Sequence, residues 1–414
     1  MEASLLKMVE AEGRGRSLVA AKPLKAGQVV LKDSPILLYS AFPVLPPQPF
    51  QAAQATSESN YCSYCFKFIQ KLQSSPLPCP SCSASVFCSL HCQSLAFSSS
   101  HSPWLCQSLK RLRDVGSSPL LNRPVELQVQ MRFLIAAYNL ASVSPSNFQN
   151  LLSLQGEPSM FIDSPESKYN VLFLHSLVSA LCPTETGVEI SFSVELIAAL
   201  LAKDKLNAFG LMEPFLPENE RLVRAYGIYP RASFFNHDCL PNACRFDYVD
   251  AATADGNNTD IIVRLIHDIP ERREICLSYF PVNLKYSERQ RRLKEDYGFF
   301  CDCDRCRVEA NWSDQEYDDG LDEDGLNDEE EEAAMDEDEN EEMAADEGGD
   351  VAQEDNDFPH AYFFLNYMCN RENCWGTLAP LPPSGFTPSM VMECNVCGIL
   401  RNSKELMDGN MVQQ

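Results

Sequence analysis

Asn236-His237-Asp238-Cys239-Leu240-Pro241-Asn242 is followed by Glu274-Ile275-Cys276-Leu277-Ser278-Tyr279, and then by Cys301, Cys303 and Cys306. Three thiols at Cys-x-Cys-x2-Cys spacing leave a tetrahedral zinc one ligand short. Cys239 is the natural candidate for the fourth. A zinc held in this way ties the later segment onto the 236–242 loop. One stretch then joins a candidate cofactor loop, a buried tyrosine and a structural metal.

The other cysteines extend this reading. There are 18 in the chain, and 15 of them fall into clusters. The chain shows no N-terminal signal pattern and no apolar run of membrane-spanning length, so an intracellular protein is expected. In a reducing compartment such spacing argues for metal sites over disulfides. The first cluster is Cys62-x2-Cys65, Cys79-x2-Cys82, Cys88-x3-Cys92 and His101-x4-Cys106. Eight ligands suit two closed tetrahedral zinc sites, which makes the role structural. A segment this short has little core, so metal binding supplies its folding free energy. A further cluster, Cys369-x4-Cys374 with Cys394-x2-Cys397, reads as a small zinc ribbon with Gly376 and Gly398 at its turns. Cys182, Cys244 and Cys276 are left over and read as small buried apolar residues.

The formal net charge of −26 is concentrated. Asp314 to Asp357 holds 24 acidic residues and no Lys or Arg, and the rest of the chain is close to neutral. The acidic run cannot bury enough apolar surface to order itself and reads as a disordered linker. A second reading has it draw basic substrates by an attraction that weakens with salt. The nearly neutral remainder lacks the basic footprint of a sequence-specific nucleic-acid binder.

Local pattern fills in the architecture. Gly13, Gly15 and Gly27 punctuate strand-like runs such as Val29-Val30-Leu31 and Ile36-Leu37-Leu38-Tyr39. The stretch 41–56 is rich in Pro, Gln and Ala and reads as a linker. Helical periodicity starts at Val125 and recurs at Val194. Ile261–Leu265 reads as a strand. Ser287 to Tyr297 reads as a charged helix capped by Ser287. The expected class is α+β, mostly β. The expected order is a first strand-rich portion (9–56), a zinc finger (57–110), a helical insert (111–205), a second strand-rich portion (206–285), a zinc region (286–310), the acidic linker (311–357) and the ribbon (358–414).

The Asn-His-x-Cys-x-Pro-Asn loop, the Glu-Ile-Cys-Leu-Ser-Tyr strand and the Cys-x-Cys-x2-Cys tail resemble a SET domain with its post-SET zinc. The first cysteine cluster resembles a MYND finger, with His-x4-Cys where His-x3-Cys is usual. A MYND finger inserted after the first SET strands resembles the SET-and-MYND lysine methyltransferases, and the N-terminal wording is similar to the plant ASHR-type group. The resemblance covers roughly 9–306.

It implies that the MYND ligands interleave. Cys62, Cys65, Cys88 and Cys92 would hold one zinc, and Cys79, Cys82, His101 and Cys106 the other. Cys239, Cys301, Cys303 and Cys306 would hold the post-SET zinc; outside the resemblance, the spacing of Cys369, Cys374, Cys394 and Cys397 reads as a fourth zinc site in the ribbon. S-adenosylmethionine is implied as methyl donor. Gly15 and Arg16 match the first cofactor loop, with Ser17 where a second glycine is usual. Asn207 matches an asparagine beside the cofactor. Asn236 and His237 match the pair at its amino group and adenine, and Phe299 matches the aromatic packed on the adenine. Tyr279 matches the catalytic tyrosine, which also borders the cofactor.

The expected activity is methyl transfer to lysine in histones or other proteins, in the nucleus or cytoplasm, with no membrane partner. A different class is a catalytically idle zinc adaptor whose MYND finger binds proline-rich peptides. Asn236, His237 and Tyr279 together favour the enzyme, since an adaptor needs none of them.

Overall fold

The computed structural model describes residues 4–44, 60–69, 76–83, 85–114, 119–120, 123–181, 192–216, 221–251, 257–310, 361–385 and 389–403. The acidic run, most of the 41–56 linker and Cys182 lie outside them.

The chain opens with four strands, β1 (Leu6–Ala11), β2 (Gly15–Ala20), β3 (Val29–Asp33) and β4 (Leu37–Ser40). Gly13 and Gly15 have φ of 71° and 66°, which turns β1 back on β2 where a side chain would be strained. The finger follows with a short hairpin, β5 (Leu77–Pro78) and β6 (Val86–Phe87), and two helices, α1 (Leu90–Ser98) and α2 (Pro103–Asp114). Ser89 caps α1 by accepting from the Cys92 amide at 3.1 Å.

The helical insert holds α3 (Val125–Val143), α4 (Pro145–Leu152), α5 (Ser159–Ile162), α6 (Pro165–Leu181) and α7 (Val194–Asn207). The helix expected to start at Val125 does so, and the run from Val194 expected to sit in a helix forms α7. Leu127, Met131, Leu134, Tyr138 and Ala141 form one buried stripe of α3. Phe133, Ile135 and Ala137 are buried too, so α3 is enclosed nearly all round and carries the largest apolar cluster. Ser193 caps α7 through the Leu196 amide.

The second strand-rich portion holds β7 (Ala208–Met212), β8 (Val223–Ile228), β9 (Asn236–His237), β10 (Ala243–Phe246), β11 (Ile261–Leu265) and β12 (Cys276–Leu277). Its strands complete sheets begun before the finger, in the orders β4-β8-β7 and β10-β11-β3. The two portions are therefore one folded unit interrupted by the finger and the insert. β character is concentrated in this unit, while the insert supplies most of the helix. The short β9 and β12 pair in parallel, Asn236 with Cys276 and His237 with Leu277.

After α8 (Tyr286–Arg292) the helix widens into a single π turn, Leu293–Tyr297, before α9 (Asp304–Glu309). Lys285 occupies the N-cap of α8, so Ser287 lies inside the helix and the expected Ser287 cap is corrected. The C-terminal module holds α10 (Ala361–Tyr367) and three antiparallel strands, β13 (Leu378–Pro380), β14 (Val391–Cys394) and β15 (Leu400–Asn402). Among the described residues, no helix is long and apolar enough to cross a membrane.

Candidate active site and zinc clusters

The 236–242 loop is fixed to the 274–279 strand by its own side chains. Asn242 donates through Nδ2 to the Glu274 carbonyl at 2.8 Å and accepts the Cys276 amide at 2.9 Å. This matches both peptide groups of one strand segment and accounts for an asparagine there. The Asn236 amide donates to Glu274 Oε1 at 2.9 Å and lies 3.4 Å from the Arg14 and Arg16 carbonyls. That brings the Gly13–Gly15 turn beside the loop. A Cβ at Gly15 would meet nothing within 4 Å, so its backbone faces open space.

His237 is buried, and burial pushes its pKa down to about 3, so the ring is neutral. Its Nδ1 accepts the Tyr279 amide at 3.1 Å. The proton therefore sits on Nε2, which lies 3.2 Å from Cys239 Sγ and donates to it. The ring links a cluster sulfur to the tyrosine strand. Both its nitrogens are thus engaged within the protein.

Tyr279 donates its hydroxyl to the Phe235 carbonyl at 2.9 Å. Burial pushes its pKa up, so it stays protonated and serves as a fixed polar group. It lines a cavity of about 380 Å3 together with Asn207, Phe209, Phe235, Phe280 and Tyr297. Tyr297 was not singled out by sequence. The π turn widens the helix at this point and sets its ring 4.8 Å from that of Tyr279. Phe299, partly exposed, follows with its ring 6.5 Å from Tyr297.

Other expected site residues sit close by with protein partners of their own. Asn207 ends α7 and donates to the Gln155 and Lys203 carbonyls at 2.7 and 2.8 Å. Arg16 donates to the Ser153 carbonyl at 2.8 Å and lies over the Phe234 ring. Arg14, also passed over by sequence, reaches the loop directly. It donates to the His237 carbonyl at 2.8 Å and pairs with Glu274 at 3.2 Å.

Among the described residues, four sets of ligand atoms each lie within 4.8 Å of one another. They are Cys62, Cys65, Cys88, Cys92; Cys79, Cys82, His101, Cys106; Cys239, Cys301, Cys303, Cys306; and Cys369, Cys374, Cys394, Cys397. Finger interleaving and the Cys239 assignment both reappear in this grouping. A Zn–S bond of about 2.3 Å makes a tetrahedral edge of roughly 3.8 Å. Observed separations are 3.8 Å for Cys65–Cys88, 3.7 Å for Cys79–Cys106, 3.9 Å for Cys239–Cys301 and 3.6 Å for Cys374–Cys394. A disulfide needs about 2.05 Å. The donor sets fit zinc. Cys244 and Cys276 are buried outside the clusters, as expected.

The SET domain family model matches residues 15–280. Histone-lysine N-methyltransferase ASHR2 of Arabidopsis thaliana is 54% identical, covering 97% of this chain and 96% of that protein. Histone-lysine N-methyltransferase SMYD3 of Homo sapiens is 24% identical, covering 72% of this chain and 60% of that protein. Among solved structures, the SET domain of LSMT bound to lysine and AdoHcy aligns at 13% identity with a TM-score of 0.34, covering 73% of this chain and 54% of that one.

Proposed function

The chain belongs to the SET-domain family, in its SET-and-MYND branch, and from that premise we propose that it is a protein-lysine N-methyltransferase using S-adenosylmethionine. Histones are the substrates to test first, since the Arabidopsis relative carries that name over nearly its whole length. The carrying observation is Tyr279, held by the Phe235 carbonyl on the wall of a partly aromatic cavity beside the loop that a cysteine cluster pins.

When bound, the cofactor supplies an electrophilic methyl on a sulfonium. The open face beside Gly15 and Asn236, with the exposed Phe299 ring beside Tyr297, suits a flat, polar-ended ligand. The residues do the rest. The acceptor lysine must be neutral, because an ammonium has no lone pair. Phe209, Phe235 and Phe280 surround the approach, and an apolar channel disfavours the charged form and lowers the lysine pKa. A narrow channel also aligns the amine with the methyl, so positioning carries much of the rate. Tyr279 is protonated and works as an orienting hydrogen-bond group.

Zinc in all four clusters is structural on this reading, since every position is taken by protein. The finger presents a site for proline-rich partner segments, and the protein works in the nucleus or cytoplasm. An idle adaptor would have no use for a tyrosine fixed on a channel wall.

The test is radiolabelled methyl transfer to core histones and to total protein of a cell extract. Tyr279→Phe is expected to fold, bind S-adenosylmethionine and lose transfer on the order of a hundredfold. Full retained activity in that variant removes the assignment.

A further inference from the structure

The cavity that holds Tyr279 has a wall from outside the family's core. Trp375, Thr377, Asn395 and Val396 of the C-terminal module line it together with Tyr279 and Tyr297. The SET family match ends at residue 280, well before this module.

The module is firmly docked on the strand-rich unit. Glu393 accepts from Arg264 and from the Tyr248 hydroxyl, both at 2.9 Å, and Arg264 is almost completely buried. Asn395 donates to the Arg245 carbonyl at 3.1 Å and accepts the Thr377 amide at 2.8 Å. Gly27 has φ of 77°, and a Cβ there would lie 2.3 Å from the Leu381 carbonyl oxygen. The two backbones meet where a side chain cannot fit.

Trp375 stands out on this docked frame. Its neighbours are locked: Cys374 is buried in the cluster, and a Cβ on Gly376 would sit 2.4 Å from Cys394 Sγ. Yet Trp375 itself is 53% exposed, at the cavity that reaches Tyr279. A large rigid ring held half in solvent beside a reaction channel is an anchor for a passing chain. An indole face takes an aliphatic stem or the cation of a basic residue.

We propose that the C-terminal four-cysteine module forms one wall of the lysine channel and that Trp375 is a positioning residue for the protein substrate, packing on the residues that flank the target lysine. This rests on the methyltransferase reading above and adds the substrate-side contact.

The experiment uses the full chain and initial rates of radiolabelled methyl transfer to purified core histones, with total protein of a cell extract as acceptor if histones take no methyl. Trp375→Ala is expected to raise the half-saturating acceptor concentration about tenfold, as loss of an aromatic anchor does. Half-saturation by S-adenosylmethionine and the melting temperature stay at wild-type values, and Trp375→Phe restores most of the acceptor affinity. An unchanged acceptor concentration in Trp375→Ala, or a rise matched by an equal rise for S-adenosylmethionine, overturns the proposal. Failure of the wild type to methylate either acceptor overturns the parent reading, and this inference with it.

Discussion

The two four-thiolate clusters of the C-terminal half share a chemistry and differ in how they are assembled. The ribbon cluster is local: Cys369 and Cys397 are 28 residues apart and bracket the other two ligands. The post-SET cluster draws three ligands from one short segment and the fourth, Cys239, from 62 residues upstream of Cys301. Their surroundings differ as well. A zinc with four thiolates carries a net charge of −2, which is costly to bury unpaired. At the post-SET cluster a fully buried arginine meets it. Arg289 Nε lies 3.3 Å from Cys239 Sγ, and its Nη2 reaches Glu309 at 2.5 Å. Ribbon sulfur Cys394 instead takes backbone amides, from Val396 at 3.4 Å and Cys397 at 3.5 Å. A local cluster folds its own segment. A non-local one forms once the strand-rich unit has brought the 236–242 loop into place, and in return it holds that loop beside Tyr279.

The largest expected effect separates the two clusters by activity. Cys303→Ser should lower methyl transfer on the order of a hundredfold, since ligand loss loosens the loop that positions the reacting groups. Cys397→Ser should retain cofactor binding and lose mainly acceptor affinity. Equal losses in the two variants would break the comparison.

The next effect is on stability. Arg289→Met takes the buried cation from the Cys239 and Cys306 sulfurs, leaves Glu309 paired with Arg305 alone, and should cost about 3–5 kcal/mol in denaturant unfolding. A change within experimental error would show that the cluster needs no internal counter-charge.

The smallest effect probes α7, which delivers Asn207 to the cavity. Burial pushes the Asp204 pKa up to about 7, while the Tyr39 hydroxyl, 2.5 Å away, acts in the opposite direction. A raised carboxyl favours folding in its protonated form. That contribution is complete below the unfolded value and is lost as pH rises toward 7. Asp204→Asn should therefore flatten the fall in stability between pH 5 and pH 8 by roughly 2 kcal/mol. An identical slope in the variant would place this charge in solvent.

Much of the site was legible because its signals are local. Cys-x2-Cys knuckles announce a metal by spacing alone, and counting ligands pointed to Cys239. Side-chain direction was not legible in the same way. His237 reads as a cofactor residue, yet its ring is turned inward to Cys239 and the Tyr279 amide, an outcome of β9–β12 pairing. Arg14 and Arg16 look interchangeable in sequence. The turn between β1 and β2 sends the first to the loop and the second to the helical insert. Tyr297 reaches Tyr279 through a π turn that helical periodicity does not announce. Trp375 stands beside a ribbon turn glycine, and its place at the cavity depends on how the ribbon docks.

We infer that the Cys239 cluster holds the cofactor loop and the lysine channel together. Calorimetric binding of S-adenosylmethionine to Cys239→Ser, beside wild type and Cys394→Ser, tests it most directly. Affinity should fall about tenfold or more in Cys239→Ser and stay at the wild-type value in Cys394→Ser. Wild-type affinity in Cys239→Ser would contradict it.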